Sequence, residues 1–344
     1  MNIKVVGIDL AKNVFQICVL GEDNSVIKNR KVFRDKLLHE VRQFPPNTLI
    51  AMEACFSSNY WGETIQNMGY QVKLLPAQHV KPMARRQKND ANDALAICEA
   101  AFRPNIHAVP IKTQQQRDIK ALRTVRNTLV TRRTATVNQV RALAAEYGVI
   151  FPKGLKALQQ ELPAALEDAD NGLSMVIRSL LQGLYDDIKI ISRDIDSLTD
   201  ELTQLAKLHP RYQALLKIPG FGPIVSASVL SELGTGEQFT NGRQFSAWCG
   251  LVPRQNSSGG KSTLMGMTKN GNRELRTLLI HGARAVLRFA AKRQDAMGRW
   301  LNGLVARRGK VKAIVALANK LGRIAWRIIT GDEEFQVSRA FKTA

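Results

Sequence analysis

Four carboxylates have the types and spacing to work on phosphate: Asp9 in VVGIDLAK, Glu53 in LIAMEACF, and Asp90 with Asp93 in KNDANDALAI. Acids drawn together from separate elements repel by about 3 kcal/mol per pair at about 5 Å and an effective dielectric near 20. A cluster of them therefore implies a cation, and Mg²⁺ is the expected one, because it takes hard oxygen ligands and keeps waters for phosphate chemistry. Such an ion would orient a scissile phosphate, neutralise developing charge and help deprotonate an attacking hydroxyl. Taken singly, Asp90 also reads as a helix N-cap and Asp93 as a first-turn acid favoured by the helix dipole; the joint placement argues for a site. Lys12, Arg85, Arg86 and Lys88 are close in sequence and either hold a nucleic-acid backbone or form a solvated face.

A second constellation is GLVPRQNSSGGKSTLMGMTKNGNRELRTLL. Ser257, Ser258, Gly259 and Gly260 read as a flexible turn flanked by Arg254, Lys261, Lys269 and Arg273. A hydroxyl among phosphate-binding cations is what a serine nucleophile needs, since its own pKa is far too high for spontaneous ionisation; a plain linker is the alternative. Residues 254–327 carry seventeen basic side chains against two acidic ones, Glu274 and Asp295. Arg273, Arg276, Arg284, Arg288, Lys292 and Arg293 recur along a helical stretch. Trp248, Trp300 and Trp326 are available to stack on bases, with core packing the commoner use.

These groups need elements to position them. From residue 3 to about 110, short β-rich runs alternate with helical stretches, as in a mixed α/β domain. KVVGID, VFQICVL and VIKNRKVF read as three antiparallel strands, the second pair joined by the turn GEDNS. A helix over 35–43, a strand NTLIAME, a helix over 60–68, a strand YQVKLL and a helix from about 89 follow, which is an RNase H-like order. Asp9 and Glu53 each end an apolar strand, so both emerge at strand tips, and Asp90 and Asp93, three apart, share one helix face.

Residues 112–156 carry ten basic and two acidic side chains, and 161–202 ten acidic and three basic, so two helical arms of opposite sign are expected. Ile188, Ile191, Ile195, Leu198, Leu202 and Leu205 form a heptad seam, fit either for an intramolecular helical hairpin or for a coiled coil between protomers. LLKIPGFGPIVSASVLSELG holds a Gly-rich turn between apolar helices: a helix-hairpin-helix whose amides meet phosphate, or a tight turn without a ligand. Three regions result: 1–110 with the acids, a helical 111–208, and a mainly α 209–344 with the serine loop.

The 344 residues carry 50 Lys and Arg against 29 Asp and Glu, a net charge of +21, which favours a polyanion, nucleic acid first. No apolar run is long enough to span a bilayer and the start MNIKVVGIDL lacks a signal layout, so a cytoplasmic protein without a membrane partner is expected. Cys18, Cys55, Cys98 and Cys249 form no CxxC pair and the five histidines no HxxxH, so oxygen must hold any metal.

Together GIDLAK, the strand ending in MEA, KNDANDA, IPGFGP, and FSAWCGLVPRQNSSGGK followed by TKNGNRELRTLLIHGARA resemble the DEDD transposases of the IS-one-ten family of insertion sequences, in particular its IS-eleven-eleven branch. The resemblance spans nearly the whole chain. It implies a RuvC-like N-terminal domain, a coiled-coil region and a C-terminal domain with a nucleophilic serine. It puts the acidic tetrad on Asp9, Glu53, Asp90 and Asp93 and the serine on Ser258, with Ser257 one residue away. It also implies a structured noncoding guide RNA, donor and target DNA duplexes, a homodimer or tetramer, and a nucleoid-associated location in bacteria. The expected function is RNA-guided excision and insertion through a covalent phosphoserine; the alternative is a hydrolytic RuvC-type nuclease, such as a junction resolvase.

Overall fold

Two apolar runs long enough to be buried on both faces make the centre of a sheet, as fully covered strands do. They are β1 (Ile3–Asp9) and β2 (Val14–Gly21), antiparallel neighbours with Val5, Val6, Ile8, Phe15 and Ile17 fully buried. A computed structural model describes residues 2–84, 89–331 and 333–341, in two compact units, Met1–Thr113 and Gln114–Ala344. In the first unit β3 (Val26–Phe33) pairs antiparallel with β2. Its lysines and arginine suit an edge strand, where charge discourages further pairing.

After α1 (Leu37–Val41), β4 (Leu49–Glu53) joins β1 in parallel; after α2 (Ser58–Gln66), β5 (Gln71–Leu75) joins β4 in parallel. The sheet order is β3-β2-β1-β4-β5. The short α3 (Ala77–Val80) leads to the segment before α4 (Asp90–Ala100). One sheet face packs Ile8, Phe15 and Ile17 with Leu37, Trp61 and Ile65; the other packs Val5, Cys18 and Ala51 with Ala94, Ile97 and Cys98 of α4.

The glycine of GID has a specific use. A Cβ built at Gly7 would lie 2.5 Å from Cys98 Sγ and 2.6 Å from the Ala94 carbonyl, so the missing side chain lets α4 sit down on β1. Gly7→Ala is expected to push the acid-bearing helix away from Asp9, lowering the thermal midpoint and any activity of the acid cluster together. Retention of both in the purified variant would refute this close-approach account.

Among the described residues the second unit is helical apart from one hairpin. The long α5 (Gln114–Ala145), α6 (Leu155–Glu167) and long α7 (Met175–Lys207) come first. Arg126 Nε donates to Thr199 Oγ1 at 2.7 Å and Arg133 Nη1 to Ser192 Oγ at 3.2 Å, so α5 and α7 run antiparallel. The heptad seam is used inside the chain: Ile188 is buried with Val137 and Val140, and Leu202 with Ile119. The cluster around Ile119 and Leu202 continues into the helices that follow, across the expected division at 208/209. These are α8 (Tyr212–Leu216), α9 (Pro223–Leu233) and α10 (Gly242–Trp248), then the hairpin β6 (Pro253–Ser258) and β7 (Lys261–Met267), then α11 (Arg273–Arg288), α12 (Ala296–Arg308), α13 (Lys310–Thr330) and α14 (Val337–Ala340).

Candidate active site

Parallel pairing of β1 with β4 runs Val6 to Ile50, Gly7 to Ala51 and Ile8 to Met52. One step further along each strand stand Asp9 and Glu53, side by side at the same edge of the sheet. Strand parity puts both on the α4 side, because Gly7 faces Cys98 and Ala51 packs in that cluster. Asn89 caps α4, its side chain accepting from Asn92 N at 2.8 Å. Asp90 is therefore the first helical residue rather than the cap, and it and Asp93 occupy the first turn. Lys31 Nζ on β3 stands 3.6 Å from Asp90 Oδ2, an exposed pair.

Asp9 feels the other three acids. Burial first, then Asp93, Asp90 and Glu53 in turn, push the Asp9 carboxyl up to about 6. Burial, then Asp93, raises Glu53. Among the described residues no group of three or more His, Cys, Asp or Glu is drawn tightly enough to form a ligand shell. The other three acids thus act on Asp9 without closing a ligand shell, and two partly desolvated carboxylates side by side, Asp9 and Glu53, suit a hard divalent cation. The pattern of acids gave no hint of two neighbours: Lys31, and Cys55, whose thiol is pushed up to about 11 by burial and then by Glu53 and Asp9.

The serine segment was expected as a flexible turn and is an ordered hairpin. Gly259 and Gly260 both have positive φ, 55° and 78°, as the two central residues of a tight hairpin turn require. The register pairs Ser258 with Lys261, Ser257 with Ser262, Asn256 with Thr263 and Gln255 with Leu264. Alternation then puts Ser257 and Ser258 on opposite faces of the ribbon. Ser258 shares its face with Lys261, Asn256 and Thr263. Ser257 shares the other with Gln255, whose Nε2 donates to Ser257 Oγ at 2.8 Å. The ribbon is exposed almost throughout.

Arg254, Lys261, Lys269, Arg273 and Arg284 are exposed, as backbone-binding cations must be. Arg276 corrects the expectation. It is 8% exposed, and its Nη1 donates to the carbonyls of Cys249 (3.0 Å) and Asn270 (2.9 Å), bracing the two chain segments that flank the hairpin. Lys12 is exposed; Arg85, Arg86 and Lys88 lie outside the described residues. Arg284→Gln is expected to flatten the salt dependence of DNA affinity by about one ion, whereas Arg276→Gln keeps the slope and lowers stability by about 2 kcal/mol. Affinity titrations across salt, with a melt of each variant, check both.

The IPGFGP turn joins α8 to α9 and packs closely on α11. Gly220, at φ 88°, meets Gly282 of α11 so closely that a Cβ on it would fall 2.6 Å from the Gly282 carbonyl. The tryptophans pack inward too: Trp248 with Phe239 and Phe245, and Trp300 with Phe341, while Trp326 Nε1 donates to the Gly236 carbonyl.

An α/β unit with acids at neighbouring strand ends is followed by a basic helical unit, an arrangement suited to an enzyme that works on a polyanion. Residues 6–149 match the DEDD transposase family of IS110 type, and residues 212–297 match the family described as Transposase IS116/IS110/IS902. The chain is 42% identical over 335 residues to a transposase for insertion sequence element IS1111A of Coxiella burnetii, covering 97% of this chain and 92% of that protein. It is 41% identical to a probable family 20 transposase of Pseudomonas aeruginosa (96% and 98% covered) and 35% to a transposase for insertion sequence element IS1328 of Yersinia enterocolitica (96% and 97%). The chain belongs to the IS110/IS116/IS902 family of transposases. DNA is its partner, and no helix among the described residues is long and apolar enough to cross a membrane.

Proposed function

We propose that this transposase excises and inserts its element through a covalent phosphoserine formed by Ser258, with Asp9, Glu53, Asp90 and Asp93 holding Mg²⁺. The observation that carries the reading is the hairpin register, which presents Ser258 beside Lys261 at an exposed tip. Ser258 Oγ would form a bond to phosphorus as the bond to one deoxyribose oxygen breaks. That oxygen leaves as a hydroxyl, and an incoming hydroxyl later reverses the exchange without ATP. Lys261 and Arg254 hold the phosphate against the tip, and Lys269 and Arg273 bind flanking backbone. When bound, the metal ion supplies charge neutralisation and lowers the pKa of a coordinated hydroxyl.

The first unit is read as RuvC-like and RNase H-like, and the chain as three functional regions, 1–110, 111–208 and 209–344. Membership of the IS-eleven-eleven branch, a structured guide RNA that delegates sequence reading to base pairing, and action at the bacterial nucleoid belong to the same proposal. So does a dimer or tetramer, since two duplexes must be cut and rejoined. The helical pair α5 and α7 supplies long exposed faces for that assembly in addition to its internal seam.

The test is a denaturing gel of the reaction on labelled donor DNA. Protein-linked DNA that disappears with Ser258→Ala is the expected result. Cleaved DNA without an adduct would replace the proposal with hydrolysis. Sequencing RNA that copurifies with the protein tests the guide.

A further inference from the structure

The polar side chain least expected in the sheet is Gln16, in the middle of VFQICVL. It is 5% exposed and sits on a central strand. Register places it directly opposite Asp9 on β1 and opposite Lys31 on β3. Parity puts it on the α4 side, two residues from Cys18, which packs against that helix. Glu53, Asp9, Gln16 and Lys31 therefore form one row across β4, β1, β2 and β3, under the turn of α4 that carries Asp90 and Asp93.

A relay fixes which end of the Gln16 amide faces where. The Ala91 carbonyl in the first turn of α4 can only accept, and Asn29 Nδ2 donates to it at 3.0 Å. Asn29 must then present Oδ1 to Gln16, and Gln16 Nε2 donates to it at 2.6 Å. The remaining atom, Gln16 Oε1, is buried and has no hydrogen-bond donor among the described residues. A buried acceptor left without a donor is costly, because it has given up water and gained nothing in return. This one belongs to the residue directly opposite Asp9, and the Cβ atoms of such an antiparallel pair are roughly 5 Å apart.

We propose that Gln16 is a positioning residue of the acid cluster, its Oε1 accepting a hydrogen bond from a water of the divalent ion that Asp9 holds. The inference rests on the reading of the four acids as the metal site. A neutral oxygen suits this place: Mg²⁺ keeps several of its waters, each needs an acceptor, and a fifth carboxylate would add repulsion. The same relay ties the cation to the register of α4, because Gln16, Asn29 and the Ala91 carbonyl connect the strand of the acceptor to the helix of Asp90 and Asp93.

The test is a titration of the full-length protein with Mn²⁺, reading free ion by electron paramagnetic resonance, alongside the thermal midpoint without metal. Asp9→Asn should abolish tight binding. Gln16→Met, nearly isosteric, should weaken Mn²⁺ affinity about tenfold, the size typical for loss of an outer hydrogen-bond partner. Asn29→Ala, which frees the amide to rotate, should weaken it by a smaller factor and serves should Gln16→Met not fold. If both variants bind Mn²⁺ as tightly as wild type while only their midpoints fall, Gln16 merely braces α4 and the inference is overturned. If Asp9→Asn itself binds as wild type does, the metal-site reading falls and takes the inference with it.

Discussion

Ser258→Ala is expected to abolish strand exchange and protein-linked DNA, a loss of at least about 10⁴-fold in rate, as removal of a nucleophile does where no other group can form the covalent bond. Ser257→Ala, one residue away, is expected to stay within about threefold of wild type. The contrast follows from the ribbon: adjacent residues on a strand point to opposite faces, and only Ser258 shares a face with the Lys261 ammonium across the ladder. A phosphate drawn to Lys261 comes within reach of Ser258 and not of Ser257, which is engaged by Gln255. Because both variants keep the two-glycine turn, their folds and DNA affinities should match, so single-turnover cleavage on labelled DNA isolates the chemistry. The reverse ranking would move the nucleophile to the Gln255 face. Equal activity of both variants with wild type would remove the serine from the mechanism.

How the serines face could be seen only once the segment was known to be a strand. PRQNSS lacks the apolar alternation that marks strands, so polarity made it look like a loop. The cue that sequence does carry is the Gly-Gly pair between two runs of similar length, a strong signal for a two-residue hairpin turn. The acid-bearing strands were legible for the opposite reason. Buried runs such as KVVGID and LIAME end abruptly at a carboxylate, and a charged group at the end of a covered strand has to emerge at its tip.

Arg276 shows how a charge count misleads. It lies at helical spacing from Leu279 and Ala283, on the face of α11 that also buries Leu275 and Val286, whereas Arg273 and Arg284 fall on the outer side. The period of the helix separates the bracing arginine from the exposed ones; the tally of basic residues does not. The heptad seam of α7 was legible as a seam, but its partner was not, since Ile188 and Leu202 would look the same facing α5 or a second protomer. Gln16 belongs to a third kind: one polar residue in a run buried on both sides is an anomaly in sequence, and only the register shows Asp9 opposite it.

Asp9→Asn is expected to abolish strand transfer, by about 10³-fold or more, while making the metal-free protein more heat-stable at neutral pH. The folded carboxyl is raised to about 6 by burial and its acidic neighbours, against an ordinary value near 3.8. A raised acid favours the folded state below the unfolded value, and that contribution is lost as pH rises through the folded one. Without divalent ions, wild type should therefore lose midpoint relative to Asp9→Asn between about pH 4 and pH 6 and hold a constant deficit above pH 7, a few degrees in size. On the proposed function Mg²⁺ is held by the folded state alone, so it should close that gap in wild type at pH 7.5 while leaving Asp9→Asn unmoved. Melting both proteins across pH, with and without Mg²⁺, reads every part of this. Should Mg²⁺ stabilise the two equally, Asp9 is not where the ion sits, and the repulsion among these carboxylates would have to be relieved by something other than a metal, with Lys31 the nearest cation in the row.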